Sequence, residues 1–164
     1  GNDINSQAIE ISNSNLQFRC DMNSKIITRT ADARDLYFLE NECIDLICTH
    51  PPYANSIKYS EGIKGDISLL NVDIFLIEMQ KVAMESYRVL KKGKQCAIMI
   101  GDIRRHGKVV PLGFFVMECF LQAGFVNQEI IIKEQHNCRS TKKWEYLNKN
   151  FLMIAHEYIF VFVK

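Results

Sequence analysis

The chain has 164 residues, of which 48% are hydrophobic and 24% are charged, so its length and composition suit about one globular domain with a real core. The formal net charge of +1 excludes a generally basic protein, and any nucleic-acid surface must therefore be local. No pair of the six cysteines has CxxC spacing, and no apolar stretch is long enough to span a membrane. We therefore expect reduced thiols, a cytoplasmic setting and no metal site.

The N-terminal part of the chain predicts a strand end, a helix and two short strands. An acid, Asp3, precedes a helical pattern that Ser6 can cap, and strand-like runs follow at 17–20 and 25–30. Residues 31–36 then predict another strand end followed by a helical turn. Carboxylates at such positions can hold a ribose or accept from a purine amine, which makes Asp3 and Asp32 candidate binding residues. Surface and capping roles are equally open for both.

The most distinctive stretch is Thr49-His50-Pro51-Pro52-Tyr53. The apolar run 44–48 predicts a short buried strand that leads into it. The two prolines end that strand, because neither can donate a ladder hydrogen bond, and they stiffen the chain. The pattern predicts an aromatic ring at the carboxyl end of a strand, where ligands bind in open α/β sheets. The alternative is a rigid loop with a packed tyrosine.

Beyond this turn, a polar loop at 54–68 contains Lys58 and Tyr59, which could contact a phosphate and a base. Asn71 is predicted to cap a long amphipathic helix that ends at Lys91, Lys92 and Gly93. A buried strand at 95–100 follows and ends in Gly101-Asp102. The next segment reads as a short basic loop suited to phosphate or simply to solvent, with Arg104, Arg105, His106 and Lys108.

The C-terminal part predicts a second helix from Pro111 to Gly124, a strand at 125–133 and a last strand at 155–163. The last two strands are joined by a loop, so we expect antiparallel neighbours at one edge of an α/β sheet. Their connection, 134–150, mixes basic and aromatic residues that could line a nucleic-acid groove or belong to an ordinary hairpin. Its candidates are Arg139, Lys142, Lys143 and Trp144.

Together these features resemble the amino-group DNA methyltransferases, which methylate adenine N6 or cytosine N4. The catalytic signature of that family is Asp, Asn or Ser followed by Pro-Pro-Tyr, and His50-Pro51-Pro52-Tyr53 stands in its place. The segments 31–36 and 45–49, the run 88–94 before a strand, and the late strand 156–162 are also typical of the family. The resemblance covers nearly the whole chain, and its sharpest piece is the Pro-Pro-Tyr turn.

The resemblance implies a Rossmann-like class I methyltransferase sheet with an antiparallel edge hairpin. Residues 1–164 would form a single catalytic domain that is partial, because the glycine-rich cofactor loop that normally precedes Asp3 is absent from the sequence and the first residue is glycine rather than methionine. The sheet would then be incomplete at its N-terminal strands. Upstream sequence or a partner chain would supply the missing piece.

The resemblance also implies S-adenosylmethionine as cofactor and double-stranded DNA as substrate. Asp3 would hold the ribose, Ile4 would flank the adenine and Asp32 would meet its amine, with Ala33 and Thr49 beside them. The catalytic residues would be His50, Pro51, Pro52 and Tyr53. The nucleic-acid contacts would come from Lys58, Tyr59, Arg104, Arg105, Arg139, Lys142, Lys143 and Trp144.

His50 departs from the family pattern, since a neutral imidazole accepts one hydrogen bond and a protonated one accepts none. Altered substrate preference or weak activity is therefore an alternative. A non-catalytic module that retains the fold, and an N-methyltransferase acting on RNA or a small molecule, also stay open. Methylation at cytosine C5 is disfavoured, because it needs a cysteine nucleophile after a proline and Cys48 precedes the turn.

Overall fold

The computed structural model describes residues 1–16, 25–135 and 152–164. The elements are, in chain order, β1 (Asn2–Asp3), α1 (Ser6–Asn15), β2 (Arg29–Thr30), β3 (Ile44–Thr49), α2 (Val72–Val89), β4 (Leu90–Ile100), β5 (Ile103–Arg105), β6 (Lys108–Val110), α3 (Leu112–Gln122), β7 (Val126–Glu134) and β8 (His156–Val163). Two 3-10 turns, Ala54–Ser56 and Ile67–Leu69, lie between β3 and α2. The predicted α/β class is confirmed.

A four-stranded sheet in the order β3-β4-β8-β7 forms the centre of the fold. Strands β3 and β4 are parallel, whereas β8 runs antiparallel to both of its neighbours, β4 and β7. The predicted antiparallel edge hairpin is confirmed, since β7 and β8 pair from Val126↔Val163 to Glu134↔His156. Strands β1 and β2 pair in parallel as a separate two-stranded sheet, which leaves β3 at the edge of the main sheet.

Helices α2 and α3 pack together against one face of the main sheet and enclose the core. Because side chains alternate along a strand, every second residue of β4 and β8 faces these helices. Phe120 of α3 stacks on Phe162 of β8 with ring centroids 5.3 Å apart. Burial raises the pKa of the Cys96 thiol to about 12, as expected for a core cysteine that is not reactive. Fully buried members of the core include Phe75, Met79, Ile98, Ile100 and Phe160.

Strand β3 is more exposed than the sequence predicts. Leu46 is 57% exposed and Cys48 is also exposed, although the apolar run 44–48 predicts a buried strand. The reason is the face that these residues occupy. Leu46 pairs with the exposed Gln95, on the face of the sheet away from the helices, whereas Ile47 pairs with the buried Cys96 on the helix-covered face.

The end of α2 was also wrongly predicted. The helix ends at Val89 and the chain passes directly into β4, so Lys91, Lys92 and Gly93 are strand residues rather than a helix terminus. Contacts with residues that are distant in the sequence outweigh the local signal for a helix end here. Lys91 Nζ bonds Asp45 Oδ2 of β3 at 2.8 Å, and the Gly93 N–H, with φ +71°, donates to the Lys164 carbonyl at 2.8 Å.

Three smaller predictions need correction. Asn5, not Ser6, caps α1, since its side chain accepts from Gln7 N at 3.0 Å. Of the run 25–30 only Arg29–Thr30 is a strand, because only these residues face β1; the run 17–20 lies outside the described residues. The basic segment after Asp102 is a β-hairpin, β5–β6, rather than a loop.

Candidate active site

The His50-Pro51-Pro52-Tyr53 turn follows the last residue of β3 at the carboxyl edge of the parallel pair. Pro51 is buried, and the fully buried Ala54 has φ +47°, in the left-handed region that non-glycine residues rarely adopt. The Ser56 N–H closes a tight turn onto the Tyr53 carbonyl at 3.1 Å. Such conformations concentrate at functional turns that their surroundings hold in place.

Tyr53 is held by a residue that lies 104 positions further along the chain. Its hydroxyl donates to Glu157 Oε1 of β8 at 2.6 Å, and Lys133 Nζ of β7 pairs with the other oxygen of Glu157 at 2.5 Å. Only 7% of Glu157 is exposed. Gly101 allows this approach, because a Cβ at that position would lie 3.2 Å from Tyr53 Cε1 and 3.3 Å from Glu157 Cγ.

This pairing determines the protonation states of both groups. Burial alone would raise the pKa of Glu157, but the hydrogen bonds from Lys133 and Tyr53 bring it below its usual value. Burial, and then the hydrogen bond to Glu157, raise the pKa of Tyr53 far above its ordinary range. Glu157 is therefore a carboxylate, and Tyr53 remains a neutral hydroxyl donor.

His50 lies exposed beside this pair. Its Nε2 is 3.3 Å from the Tyr53 hydroxyl, and the two rings meet edge to face with centroids 5.6 Å apart. The imidazole can therefore present its other nitrogen, Nδ1, away from Tyr53.

A second tyrosine and acid pair stands at the end of the neighbouring strand β4. Asp102 Oδ1 accepts from the Gly113 N–H at the start of α3 at 3.0 Å, and Tyr158 donates to Asp102 Oδ2 at 3.2 Å. His156 Nε2 lies 3.0 Å from the same tyrosine hydroxyl. Gly113 is required by contact, since a Cβ there would lie 2.7 Å from the Tyr158 ring. Asp102 thus links the end of β4 to the N-terminus of α3.

Two of the five candidate cofactor residues lie close together in the structure. Ile4 and Asp32 meet at Gly65, where an added Cβ would be 2.9 Å from Ile4 Cδ1 and 3.4 Å from Asp32 Oδ2. Asp3 ends β1, exposed, and one of its carboxylate oxygens accepts from Asn5 N at 2.7 Å. The others are Ala33, exposed after the end of β2, and Thr49, at the end of β3 beside the Pro-Pro-Tyr turn.

Asp32 is already engaged within the chain. Arg34 Nε bonds both of its oxygens, at 2.9 and 3.1 Å, and the Arg34 backbone N–H donates to Oδ1 at 2.9 Å. Arg34 also pairs with Glu78 of α2 and donates to the Gly65 carbonyl. Burial alone would raise the pKa of Asp32, but these Arg34 contacts keep it below its usual value. A purine amine would have to share this carboxylate with Arg34.

The described nucleic-acid candidates lie on both sides of the Pro-Pro-Tyr turn. Arg105 of the β5–β6 hairpin bonds the Asn55 side chain in the 3-10 turn after Tyr53. Arg104 donates to the Gly107 and Leu152 carbonyls at 2.7 and 2.9 Å. Lys58 and Tyr59 are exposed in the loop before α2. The remaining candidates, Arg139, Lys142, Lys143 and Trp144, lie outside the described residues.

The residues that hold Tyr53 were not predicted from the sequence. Glu157, Lys133 and Gly101 were assigned no role, and the one available signal was an acid at the start of an otherwise apolar strand. In the part of the chain that the structure describes, no helix is long and apolar enough to cross a membrane. The same residues contain no group of three His, Cys, Asp or Glu arranged for a metal.

Comparison with known proteins places these features in context. The profile of a family described as DNA methylase (N6_N4_Mtase) matches residues 44–164. No curated protein sequence matches the chain significantly.

Several solved structures have the same fold. A proposed DNA modification methylase from Thermus thermophilus, in complex with S-adenosyl-L-methionine, is 28% identical over 81% of this chain and 51% of its own, with a TM-score of 0.59. PvuII DNA methyltransferase, which is cytosine-N4-specific, is 19% identical over 81% of this chain and 47% of its own, with a TM-score of 0.65. A SAM-dependent methyltransferase from Methanosarcina mazei is 12% identical over 100% of this chain and 80% of its own, with a TM-score of 0.62.

These likenesses confirm the Rossmann-like methyltransferase sheet. The chain spans about half the length of the Thermus protein and of the PvuII enzyme.

Proposed function

The chain belongs to the N6/N4 DNA methylase family, and from this premise we propose that it carries the catalytic part of an S-adenosylmethionine-dependent, site-specific DNA methyltransferase. The methyl acceptor is an exocyclic amine, adenine N6 or cytosine N4. One observation carries the proposal: the His50-Pro51-Pro52-Tyr53 turn lies at the carboxyl edge of β3 and β4, with Tyr53 bound to the buried Glu157.

The residues of this turn can bind and orient a base. An exocyclic amine conjugated to a ring is a poor nucleophile, so the base must leave the stack, which costs a few kcal/mol. Tyr53, kept neutral by its raised pKa, offers a ring for stacking. The Pro51 carbonyl and the His50 side chain accept hydrogen bonds from the amine. These bonds direct the lone pair of the amine nitrogen out of the plane of the base. Methyl transfer would then be a direct displacement without a covalent enzyme intermediate. The nitrogen–carbon bond would form as the sulfur–carbon bond of the donor breaks, the donor would leave as a neutral thioether, and the methylated nitrogen would lose one proton to water. Orientation would supply most of the acceleration.

The described residues partly fit S-adenosylmethionine, which when bound supplies an electrophilic methyl group on a sulfonium. Asp3 fits a ribose diol, since its carboxylate is exposed at a strand end and one oxygen is engaged by a backbone N–H. Ile4 lies beside Asp32 and can flank an adenine, while Ala33 follows β2 and Thr49 ends β3. Asp32 fits an adenine amine only if it shares its oxygens with Arg34.

Residues 1–164 act in this proposal as a single, partial catalytic domain. Strand β3 pairs only with β4 among the described residues, and this open edge supports a further strand at that position. The glycine-rich cofactor loop would come from an upstream segment or from a partner chain. Double-stranded DNA would lie across the hairpin and loop that carry Arg104, Arg105, Lys58 and Tyr59. The proposal also assigns DNA contacts to Arg139, Lys142, Lys143 and Trp144, which lie outside the described residues. The free thiols of Cys43, Cys48, Cys96 and Cys119 support a cytoplasmic site of action.

Labelled-methyl transfer tests the proposal. The 164-residue chain is assayed with S-adenosylmethionine and with DNA or RNA oligonucleotides, alone and with the neighbouring upstream segment added back. Tyr53→Ala is compared with Tyr37→Ala, which removes a tyrosine that is 81% exposed. Transfer to DNA that only Tyr53→Ala abolishes would support the proposal. Transfer to RNA alone would assign an RNA N-methyltransferase, and no transfer with or without the added segment would indicate a non-catalytic module.

A further inference from the structure

The contacts of Tyr53 form a chain of hydrogen bonds whose direction can be deduced. Glu157 is a carboxylate between Lys133 and Tyr53, and a carboxylate can only accept. Lys133 is an ammonium and can only donate. The single hydroxyl proton of Tyr53 is therefore directed to Glu157 Oε1, at 2.6 Å.

The direction of the Tyr53 proton determines which nitrogen of His50 is protonated. With its proton directed to Glu157, the Tyr53 oxygen can only accept from the imidazole nitrogen 3.3 Å away. That nitrogen, Nε2, must therefore carry a proton. In the neutral ring the other nitrogen, Nδ1, is then an acceptor with a free lone pair.

We propose that Glu157 and Lys133 are positioning residues that hold His50 as its Nε2–H tautomer, so that Nδ1 accepts a hydrogen bond from the target amine. The identity of that amine rests on the proposed function, whereas the tautomer does not. In this arrangement Nδ1 takes the place of the side-chain oxygen that the family signature supplies at position 50. The buried acid on β8 thus explains how an imidazole serves at a position that requires an acceptor.

The Glu157→Gln variant makes a distinctive prediction, because glutamine has the same shape but one donor end. Lys133 has no acceptor, so the amide oxygen must face it and the amide NH₂ must face Tyr53. The Tyr53 oxygen then accepts from the amide, and its proton turns to His50 Nε2. The whole chain of hydrogen bonds reverses, and His50 becomes the Nδ1–H tautomer.

The test is long-range ¹H–¹⁵N correlation NMR on the full 164-residue chain with ¹⁵N-labelled histidine. The four histidines are His50, His106, His136 and His156, and His50→Asn assigns the His50 signals. We expect Nε2–H in the native chain and Nδ1–H in Glu157→Gln, with the tautomer of His106 unchanged as an internal control. An imidazole in water already prefers Nε2–H, so the reversal is the decisive result.

The double variant Lys133→Met with Glu157→Gln is the matched rescue. Without the ammonium the amide can turn its oxygen back to Tyr53, and the Nε2–H tautomer should return. Retention of Nε2–H in Glu157→Gln itself would overturn the proposal. In methyl-transfer assays kcat should fall about 100-fold in Glu157→Gln, with KM for S-adenosylmethionine unchanged, and should recover in the double variant. The NMR result decides the tautomer even if no methyl transfer is found, so the two proposals fail separately.

Discussion

Replacing Tyr53 by phenylalanine tests how strongly the Pro-Pro-Tyr turn is tied to β8. The change removes one oxygen atom and leaves the ring packed beside Gly101. It also deprives Glu157 Oε1, in a residue only 7% exposed, of a donor at 2.6 Å. Lys133 still pairs with the other carboxylate oxygen, so Glu157 remains charged.

The expected cost follows from the charge on the acceptor. A hydrogen bond to a charged group contributes about 1.5–3 kcal/mol, and the unsatisfied oxygen lies in a site with little access to water. We therefore expect Tyr53→Phe to lower the free energy of unfolding by about 2 kcal/mol. For a chain of this length each kcal/mol shifts Tm by about 2–4 °C, which gives a decrease of about 4–8 °C.

Urea and thermal unfolding followed by circular dichroism measure this difference. The control is Tyr37→Phe, which removes a hydroxyl from a residue that is 81% exposed and should change stability by less than about 0.5 kcal/mol. A double-mutant cycle of Tyr53→Phe with Glu157→Met isolates the pair, and the coupling energy should reach about 1.5 kcal/mol. A coupling energy within about 0.3 kcal/mol of zero would refute the hydrogen bond from Tyr53 to Glu157.

Three further predictions concern the same edge of the sheet. Gly101→Ala places a Cβ 3.2 Å from Tyr53 Cε1 and 3.3 Å from Glu157 Cγ. This crowding should destabilise the fold by about 1 kcal/mol and slow single-turnover methyl transfer about 10-fold. A native rate of transfer would show that the position of the Tyr53 ring is unimportant. Because the pKa of Glu157 is lowered in the folded state, its ionised carboxylate stabilises the fold. This contribution is present above the ordinary pKa of about 4.5 and is lost as the pH falls towards the pKa of the folded state. Urea midpoints from about pH 3 to 7 should therefore fall less at acid pH in Glu157→Gln than in the native chain. Arg105→Ala should weaken DNA binding and lower the slope of log K against log salt by about 1 in anisotropy titrations, and an unchanged slope would remove Arg105 from the DNA surface.

Elements defined by local signals were predicted well. The Asn71 side chain caps α2 as its position indicates, accepting from Ile74 N at 3.0 Å. Pro111 and Gly124 bound α3, and Gly124 has the positive φ of +107° that suits a glycine after a helix. The Pro-Pro-Tyr turn was predicted for the same reason, because it depends on a few neighbouring residues. The β7–β8 pairing joins residues as far apart as Val126 and Val163, and it was predicted because a loop rather than a helix joins the two strands.

Features set by distant contacts could not be read from the sequence. Tyr53 and Glu157 are 104 residues apart, and Arg34 reaches Glu78 across 44 residues. Nothing near Asp32 indicates that an arginine two residues later would engage both of its oxygens, since the same spacing occurs in ordinary turns. The exposure of Leu46 depends on which face of the sheet the helices cover, and that is a property of the packed fold rather than of the run 44–48.

The direction of β8 explains why an edge hairpin contributes to the site. Ligands bind at the carboxyl ends of parallel strands, and β3 and β4 end there at Thr49 and Ile100. An antiparallel strand begins where its parallel neighbour ends, so the first residues of β8 lie at this edge, as the pairing of Ile100 with Tyr158 demonstrates. Strand β7 reverses direction once more and brings Lys133 opposite Glu157. The charged residues that hold Tyr53 of the Pro-Pro-Tyr turn therefore lie at the start of β8 and the end of β7, which makes this hairpin part of the candidate site and not only an edge of the sheet.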